Sequence, residues 1–467
     1  MIKQIKRHNN IVRMVSVVCL VALLVIQVYA NIRRPMADPD GDYVSISSAL
    51  LLHPKPTVVS DTVVSGLSFV IDSLCVVRDP QSSLDAFFSE LDRLNMGVDT
   101  VVSIVHLGDS HIQAGFFSGR TMRLMQEQFG NAGRGWIAPF KITKTNEPDD
   151  YFISSIVKDW TSGRCIQYPP KCPLGPGGIG LQTVSPFVNF DIAIAPKNGV
   201  GYEFNQVVLY RGEKSMPMLP SGSLGDSVDV YRGHEPIVPG VVTDTFRIDC
   251  LTDSFQLQST RRKEGTDLLL PAESFNNLYY GFSLTNGGSG ILYHSIGVNG
   301  AMFVNYTDES YVKKLAMLNP SLLIISLGTN ETFGRRFSSA EFAGQIKTFL
   351  SLVKKQMPRT AILLTTPPEC SKRVWVNKKR TYIRNDNTER AAKAILNVAE
   401  EEGLACWDLF TATGGKDSSK KWFAGKWMSR DRVHFSRDGY VEQGTLLFKA
   451  LMNLKIEKEK DIFLAGN

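Results

Sequence analysis

Residues 101–111 read VVSIVHLGDSH, and this stretch decides the fold. Its first seven residues are mostly apolar and β-branched, which predicts a short strand buried inside a sheet. Gly108 then allows a sharp bend, and Ser110 follows at the expected turn from strand to helix. The stretch therefore predicts polar side chains at the carboxyl end of a buried strand, where open α/β sheets bind their ligands.

Strands alternate with helices again in the last third of the chain. Further buried strands are predicted at residues 321–327, 361–365 and 404–408. One helix between them is expected to begin at a capping box, Ser338-x-x-Glu341, and another, residues 387–402, to end at Gly403. This alternation predicts a doubly wound α/β domain with a parallel sheet.

Residues 148–285 have a different pattern, with short apolar stretches separated by Gly, Pro, Ser and Asn. Such a pattern predicts a β-sandwich, jelly-roll-like in character, inserted into the α/β domain. We accordingly divide the chain into a signal peptide or N-terminal membrane anchor (1–34), a linker and N-terminal extension (35–84), the first part of the α/β domain (85–147), the inserted domain (148–285) and the second part of the α/β domain (286–467).

Composition limits the possible partners of this 467-residue chain. Its net charge is +6, and 43% of its residues are hydrophobic, which excludes wholesale disorder. The first thirty residues hold four Lys or Arg and no acid, so removing them leaves 48 basic against 46 acidic residues. A surplus of only two charges with no basic stripe argues against a nucleic-acid partner.

The N-terminus predicts export. A basic segment is followed by an apolar run over residues 14–30, which is typical of a secretory signal and also close to the length of a membrane span. The sequence leaves open whether this segment is cleaved off or retained, so residues 11–30 are a candidate membrane tether. Either way we expect the remainder to be exported, either periplasmic or anchored to the inner membrane and facing the periplasm.

Cysteine and histidine placement gives no metal motif. Six cysteines lie beyond the apolar run, and the spacing of Cys165 and Cys172 would allow a small disulfide loop, although sequence alone leaves the pairing open. No Cys-x-x-Cys or histidine cluster is present, which argues against zinc.

Three polar patches could carry chemistry: residues 108–110 (Gly-Asp-Ser), 328–331 (Gly-Thr-Asn-Glu) and 431–434 (Asp-Arg-Val-His). They supply a hydroxyl, an amide, a carboxylate and an imidazole, which together suit acyl transfer through a serine ester. We expect Ser110 to be the nucleophile and His434 to take its proton. Asp431 would orient the imidazole, and Asn330 would donate to the developing oxyanion.

A single motif of this kind is weak evidence for a catalytic residue. Gly-Asp-Ser occurs again at residues 225–227, without a buried strand before it, and this copy is interpreted as a loop. Asp408 lies at the end of a predicted strand and could compete for the acid role, but it lacks the three-residue spacing to His434. The order of the three patches carries the interpretation.

That order resembles the SGNH, or GDSL-type, hydrolase superfamily. Residues 108–110 match its nucleophile block, Gly300 within residues 297–301 (GVNGA) its second block, residues 328–331 its asparagine block, and Asp431 with His434 its closing block. The resemblance covers roughly residues 85–147 and 286–450. It implies an oxyanion hole made by the amides of Ser110 and Gly300 and the side chain of Asn330, with no metal or organic cofactor.

Two departures refine the resemblance. His111 stands where the superfamily usually has Leu, and Glu331 where it usually has Asp. Both variants resemble the peptidoglycan O-acetylesterases, exported bacterial enzymes with a sandwich similar to a carbohydrate-binding module between the first two blocks. Asp109, His111 and Glu331 are then expected to contact and position the catalytic residues without touching the substrate.

This resemblance implies an exported serine esterase that removes O-acetyl groups from a cell-wall glycan, foremost O-acetylated peptidoglycan, through an acetyl-serine intermediate. An O-acetyltransferase would use the same residues, as would an esterase of another acetylated polysaccharide or of lipids. A non-catalytic wall-binding protein is the remaining alternative, although the complete set of catalytic side chains argues against it.

Overall fold

The computed structural model describes residues 75–195, 201–233, 235–236, 238–259 and 276–465, together with Leu67 and Val70. The predicted signal peptide or anchor lies outside the described residues. Within the described ranges, none of the helices combines the length and the apolar character needed to span a bilayer.

Nineteen strands are found in these ranges: β1 Val77–Arg78, β2 Val101–Gly108, β3 Gly135–Ile137, β4 Tyr151–Ser154, β5 Thr161–Arg164, β6 Ile179–Thr183, β7 Asn189–Ile194, β8 Phe204–Gly212, β9 Met218–Ser221, β10 Val228–Arg232, β11 Val241–Thr252, β12 Ser254–Ser259, β13 Asn277–Thr285, β14 Gly290–Gly297, β15 Leu322–Ser326, β16 Ala361–Thr365, β17 Ser371–Val376, β18 Lys379–Arg384 and β19 Ala405–Trp407. The α-helices of the same ranges are α1 Asp85–Asn95, α2 Ser110–Gln113, α3 Phe116–Phe129, α4 Phe303–Tyr306, α5 Glu309–Leu315, α6 Ser339–Gln356, α7 Asp386–Glu402, α8 Leu409–Ala412, α9 Ser418–Ala424 and α10 Arg437–Ala465.

The predicted parallel sheet is confirmed. Six strands lie in the order β1-β19-β16-β15-β2-β14, and all neighbours are parallel except β1 and β19. Gly108 at the end of β2 pairs with Gly297 of β14 and Ser326 of β15, so three strands end at one level. A side chain at Gly108 would lie 2.8 Å from the Ser326 carbonyl oxygen, which explains why the strand ends in glycine.

Helices cover the sheet in two groups. α3 packs against α10 and α1 in one group, and α6 packs against α7, α4 and α5 in the other. Ser338 caps α6 as predicted, its hydroxyl accepting from the Glu341 amide at 3.3 Å, and α7 ends at Gly403, which has φ +65°. These local signals work because each acts within a few residues of the helix end.

The predicted β-rich insertion is also confirmed. One antiparallel sheet has the order β10-β11-β8-β13-β6-β5, with β3 paired to β13, and a second has the order β4-β7-β12-β9. Phe190 of the smaller sheet contacts Tyr279 and Phe282 of the larger one, with ring centroids 5.2 and 5.4 Å apart. The sandwich core is therefore aromatic, and through β3 its larger sheet includes residues that precede position 148.

Candidate active site

Ser110 lies at the first turn after the central strand β2. Asp109 caps the short helix α2, since its carboxylate accepts the His111 backbone N–H at 2.9 Å. The Ser110 hydroxyl lies 2.9 Å from Nε2 of His434, a residue 324 positions later in the chain. The fold thus brings the predicted nucleophile and base within hydrogen-bond distance.

Asp431 holds the other side of the His434 ring. Its Oδ2 lies 2.7 Å from Nδ1 of His434, and its Oδ1 accepts the backbone N–H groups of Val433 and His434 at 2.9 and 3.0 Å. Partial burial opposes ionisation, but these hydrogen bonds outweigh it and lower the pKa of Asp431. The ionised carboxylate fixes the proton on Nδ1, so Nε2 can accept from Ser110.

Arg432 fixes the loop that carries Asp431 and His434. It adopts φ +59°, and its guanidinium lies over the rings of Phe423 and Tyr382, at 4.1 and 4.6 Å from their centroids. The Arg432 carbonyl also accepts the Ser371 N–H at 2.9 Å. The loop is thereby tied to both α9 and the β17–β18 hairpin, which limits the positions available to Asp431 and His434.

The three predicted oxyanion donors line one cleft of about 500 Å³ together with His434. Gly300 has φ +82°, with no heavy atom within 4 Å of the place a side chain would occupy. Nδ2 of Asn330 donates to Oδ2 of Asp109 at 2.9 Å and to the Ala301 carbonyl at 3.0 Å. Both amide hydrogens are therefore engaged, and Asn330 has to release one of them before it can donate to an oxyanion.

His111 joins Asp109 to the catalytic loop. Its Nδ1 lies 2.9 Å from Oδ1 of Asp109, and its Nε2 lies 3.3 Å from the Val433 carbonyl oxygen. Burial would lower the pKa of His111, but the charge and hydrogen bond of Asp109 outweigh burial and raise it. Because both ring nitrogens face acceptors, the imidazolium form satisfies the site best.

Glu331 connects the asparagine loop to the start of α4. Its Oε1 accepts the Phe303 N–H at 2.9 Å, whereas Oε2 is buried and makes no hydrogen bond within the described part of the chain. Burial raises the pKa of Glu331 to about 7. The carboxyl group thus holds the loop of Asn330 against the segment that follows Gly300.

A cluster of amides beside the cleft was not predicted from the sequence. Oε1 of Gln113 accepts the Asn299 N–H at 2.7 Å, and Nδ2 of Asn299 donates to Thr145 at 3.0 Å and to Asn146 at 2.6 Å. These contacts fix the residue directly before Gly300. The only sequence signal is the position of Asn299 inside the GVNGA block.

The rejected alternatives lie elsewhere. Ser227 is exposed at the end of a 3₁₀ segment, Gly222–Ser227, on the sandwich. Asp408 caps α8 and accepts the Thr366 hydroxyl at 2.9 Å. Cys165 and Cys172 are buried unpaired thiols, so the small disulfide loop that their spacing would allow is not formed. No cluster of three or more candidate metal ligands occurs among the described residues.

Comparison with known proteins gives a family match for part of the chain. Residues 266–441 match the model of the GDSL-like Lipase/Acylhydrolase family. No curated protein matches the chain significantly in sequence.

Solved structures with a similar fold include one described as "Peptidoglycan O-acetylesterase in action, 5 min", with a TM-score of 0.65 and 19% identity over 82% of this chain and 99% of that one. A GDSL-like lipase from Bacteroides thetaiotaomicron aligns in part, with a TM-score of 0.26 and 17% identity over 36% of this chain and 76% of that one. The predicted fold and the resemblance to GDSL-type hydrolases are therefore confirmed.

Proposed function

We propose that this carboxylic ester hydrolase, which has the fold of the GDSL-type acylhydrolases, removes O-acetyl groups from a cell-wall glycan, foremost peptidoglycan. The observation that carries the proposal is the continuous chain of contacts from Ser110 through His434 to Asp431 at the edge of the cleft. The fold shared with a structure described as a peptidoglycan O-acetylesterase supports the choice of substrate.

The first half-reaction forms an acetyl-serine. Oγ of Ser110 attacks the acetyl carbonyl carbon while Nε2 of His434 takes the hydroxyl proton, and Asp431 stabilises the imidazolium that results. The amides of Ser110 and Gly300, joined by Asn330, stabilise the tetrahedral oxyanion. The bond to the sugar oxygen then breaks, and His434 returns its proton to that oxygen, which releases the glycan as an alcohol.

The second half-reaction regenerates the enzyme. Water gives a proton to His434 as it attacks the acetyl-serine carbonyl, and collapse releases acetate and restores the Ser110 hydroxyl. A sugar hydroxyl in place of water would make the same intermediate an acetyl donor, which is the transferase alternative. No step requires a cofactor. The apolar N-terminal run supports export to the periplasm, with residues 11–30 as cleaved signal or retained tether.

Acetate release tests this proposal. The full-length chain is incubated with O-acetylated peptidoglycan, with the same material after removal of its esters by base, and with an acetylated plant polysaccharide, and Ser110→Ala serves as the control. We expect acetate only from ester-bearing peptidoglycan and only with Ser110 present. Release from the plant polysaccharide alone would move the substrate to another polymer, and transfer of acetyl to added oligosaccharide would favour the transferase. If the folded protein releases no acetate from any of these esters, the wall-binding alternative is favoured.

A further inference from the structure

The β17–β18 hairpin is the most basic surface segment near the cleft. Residues 371–384 read SKRVWVNKKRTYIR, with six basic residues and no acidic one. Lys378, Lys379 and Arg380 are all exposed, and no acidic side chain within the described ranges forms an ion pair with any of these three. A segment with this charge attracts an anionic partner.

The tip of the hairpin is a tight and well-defined turn. Val376 pairs with Lys379, and the two residues between them, Asn377 and Lys378, have φ of +49° and +60°. Such a two-residue turn favours Asn followed by Gly, since glycine adopts positive φ without strain. The chain nevertheless keeps a lysine at this position, which places an additional cation at the tip.

The same hairpin presents an aromatic platform. Trp375 is 65% exposed, and the Arg380 guanidinium lies 5.2 Å from the centre of its ring. Arg373 and Tyr382 form a second pair, two residues closer to the base of the hairpin than Trp375 and Arg380. Both pairs lie on the same face, because alternate residues of a strand share a side. Indole rings and guanidinium groups together suit a ligand with both sugar rings and carboxylates.

The base of the hairpin joins both loops of the candidate active site. The Ser371 N–H donates to the Arg432 carbonyl at 2.9 Å, beside Asp431 in the catalytic loop. On the other strand, Nδ2 of Asn385, the residue after β18, donates to the Thr332 hydroxyl at 2.8 Å, two positions after Asn330. A polymer bound along the hairpin would therefore lie beside the cleft.

We propose that the β17–β18 hairpin is a docking surface for the acidic glycan polymer, which it binds through carboxylates of the polymer and by stacking a sugar on Trp375. This inference rests on the proposed function, because it identifies the polymer as an anionic cell-wall glycan. An anionic membrane is the less suitable partner. Among the exposed apolar side chains of the hairpin, Trp375 lies on one face and Val376 and Ile383 lie on the other, so the three form no single surface for insertion.

Co-sedimentation with insoluble peptidoglycan tests the docking surface. Ser110→Ala is introduced into the full-length chain to prevent turnover. The hairpin variant carries three further substitutions, Lys378→Gly, Lys379→Ser and Arg380→Ser. Glycine is chosen at position 378 because the turn requires a positive φ there. A matched triple variant, Lys158→Ser, Lys171→Ser and Lys214→Ser, removes three exposed charges from the inserted region. We expect the hairpin variant to bind about fivefold more weakly at about 50 mM salt, and the difference to shrink at about 300 mM because salt screens exposed charges.

Two further arms identify the partner. Peptidoglycan whose carboxylates have been converted to amides should bind the unmodified hairpin and its variant equally. Vesicles of phosphatidylglycerol should not retain the protein through the hairpin. Equal binding of both triple variants, undiminished binding to the amidated polymer, or hairpin-dependent binding to vesicles alone would each overturn the proposal.

Turnover separates this inference from the proposed function. With Ser110 present, the ratio of acetate release from peptidoglycan to hydrolysis of p-nitrophenyl acetate should fall about fivefold in the hairpin variant and stay constant in the matched one. Acetate release with an unchanged ratio would overturn the docking surface and leave the esterase intact. Hairpin-dependent binding without any acetate release would overturn the esterase and leave the docking surface.

Discussion

The tripeptide Gly-Asp-Ser occurs in two regions of this molecule and does different things in each. At residues 108–110 it follows β2 in the parallel sheet, and Ser110 contacts His434. At residues 225–227 it lies in a 3₁₀ segment of the sandwich, where Ser227 is exposed. The tripeptide is the same, so the difference comes from the sheet around it.

Strand direction explains the difference. Parallel strands end at one edge of a sheet, whereas consecutive antiparallel strands end at opposite edges. Because Gly108, Gly297 and Ser326 are paired neighbours, the loops that follow them begin at one level, and Ser110, Gly300 and Asn330 line one cleft. No such convergence follows from the antiparallel pairing of β8, β11 and β13 in the sandwich.

The two serines give the largest expected contrast. Ser110→Ala removes the nucleophile and should lower kcat for p-nitrophenyl acetate by about 10⁴-fold or more, as loss of a triad serine does. Ser227→Ala removes an exposed hydroxyl and should leave kcat/KM within about twofold. Both are measured on the full-length chain. An essential Ser227 with a dispensable Ser110 would contradict the assignment of the active site to the parallel sheet.

Two aspartates extend the comparison within the α/β domain. Asp431→Asn removes the carboxylate that orients His434 and should lower kcat by about 10²- to 10⁴-fold. The Asp431 side chain is half exposed, so solvent screens its pairing with His434, and the free energy of unfolding should change by less than about 1 kcal/mol. Asp408→Asn keeps a side chain that can cap α8, so it should change the free energy of unfolding by no more than about 1 kcal/mol while kcat is retained.

Kinetics and urea unfolding of the two variants check this pair. The contrast fails if Asp408→Asn removes activity from a folded protein while Asp431→Asn does not, since Asp408 would then be the acid that supports His434.

Local signals were predictable from the sequence, and distant contacts were not. Asp431 and His434 are three residues apart, so their pairing is visible as a motif. Gln113 and Asn299 are 186 positions apart, and nothing near either residue indicates that they meet. The same holds for Asn330, whose engaged amide hydrogens depend on Asp109 and on the Ala301 carbonyl.

The hairpin and α10 were missed for other reasons. The turn at Asn377 and Lys378 lacks the glycine that usually reveals a two-residue hairpin. In α10, buried apolar residues occur consecutively at 446–448 and 450–452, so they occupy more than one face and give no clean helical period.

Buried acids differ between the two regions in the same way as the serines. In the sandwich, Asp244 is fully buried and accepts two hydrogen bonds from Arg211 at 2.7 and 3.0 Å and one from Arg232 at 3.1 Å. Beside the cleft, Glu331 is buried and accepts the Phe303 N–H, and no basic side chain of the described residues is paired with it. Asp244 is thus neutralised by two guanidinium groups, whereas Glu331 has no cationic partner among the described residues.

Glu331→Gln should therefore change the pH dependence of stability. Burial raises the pKa of Glu331 from 4.5 to about 7, so the folded state favours the protonated form and loses stability as the pH rises from about 4.5 to about 7. Glutamine carries no charge and can still accept the Phe303 N–H. The Tm of the variant minus that of the unmodified protein should therefore increase between about pH 5 and pH 8. The corresponding gain in the free energy of unfolding is at most roughly 3 kcal/mol.

Glu127→Gln, at an exposed position of α3, is the matched control and should show no such trend. A difference in Tm that does not vary with pH would mean that Glu331 is already ionised at pH 5, and that the edge of the parallel sheet accommodates a buried charge as well as the sandwich does.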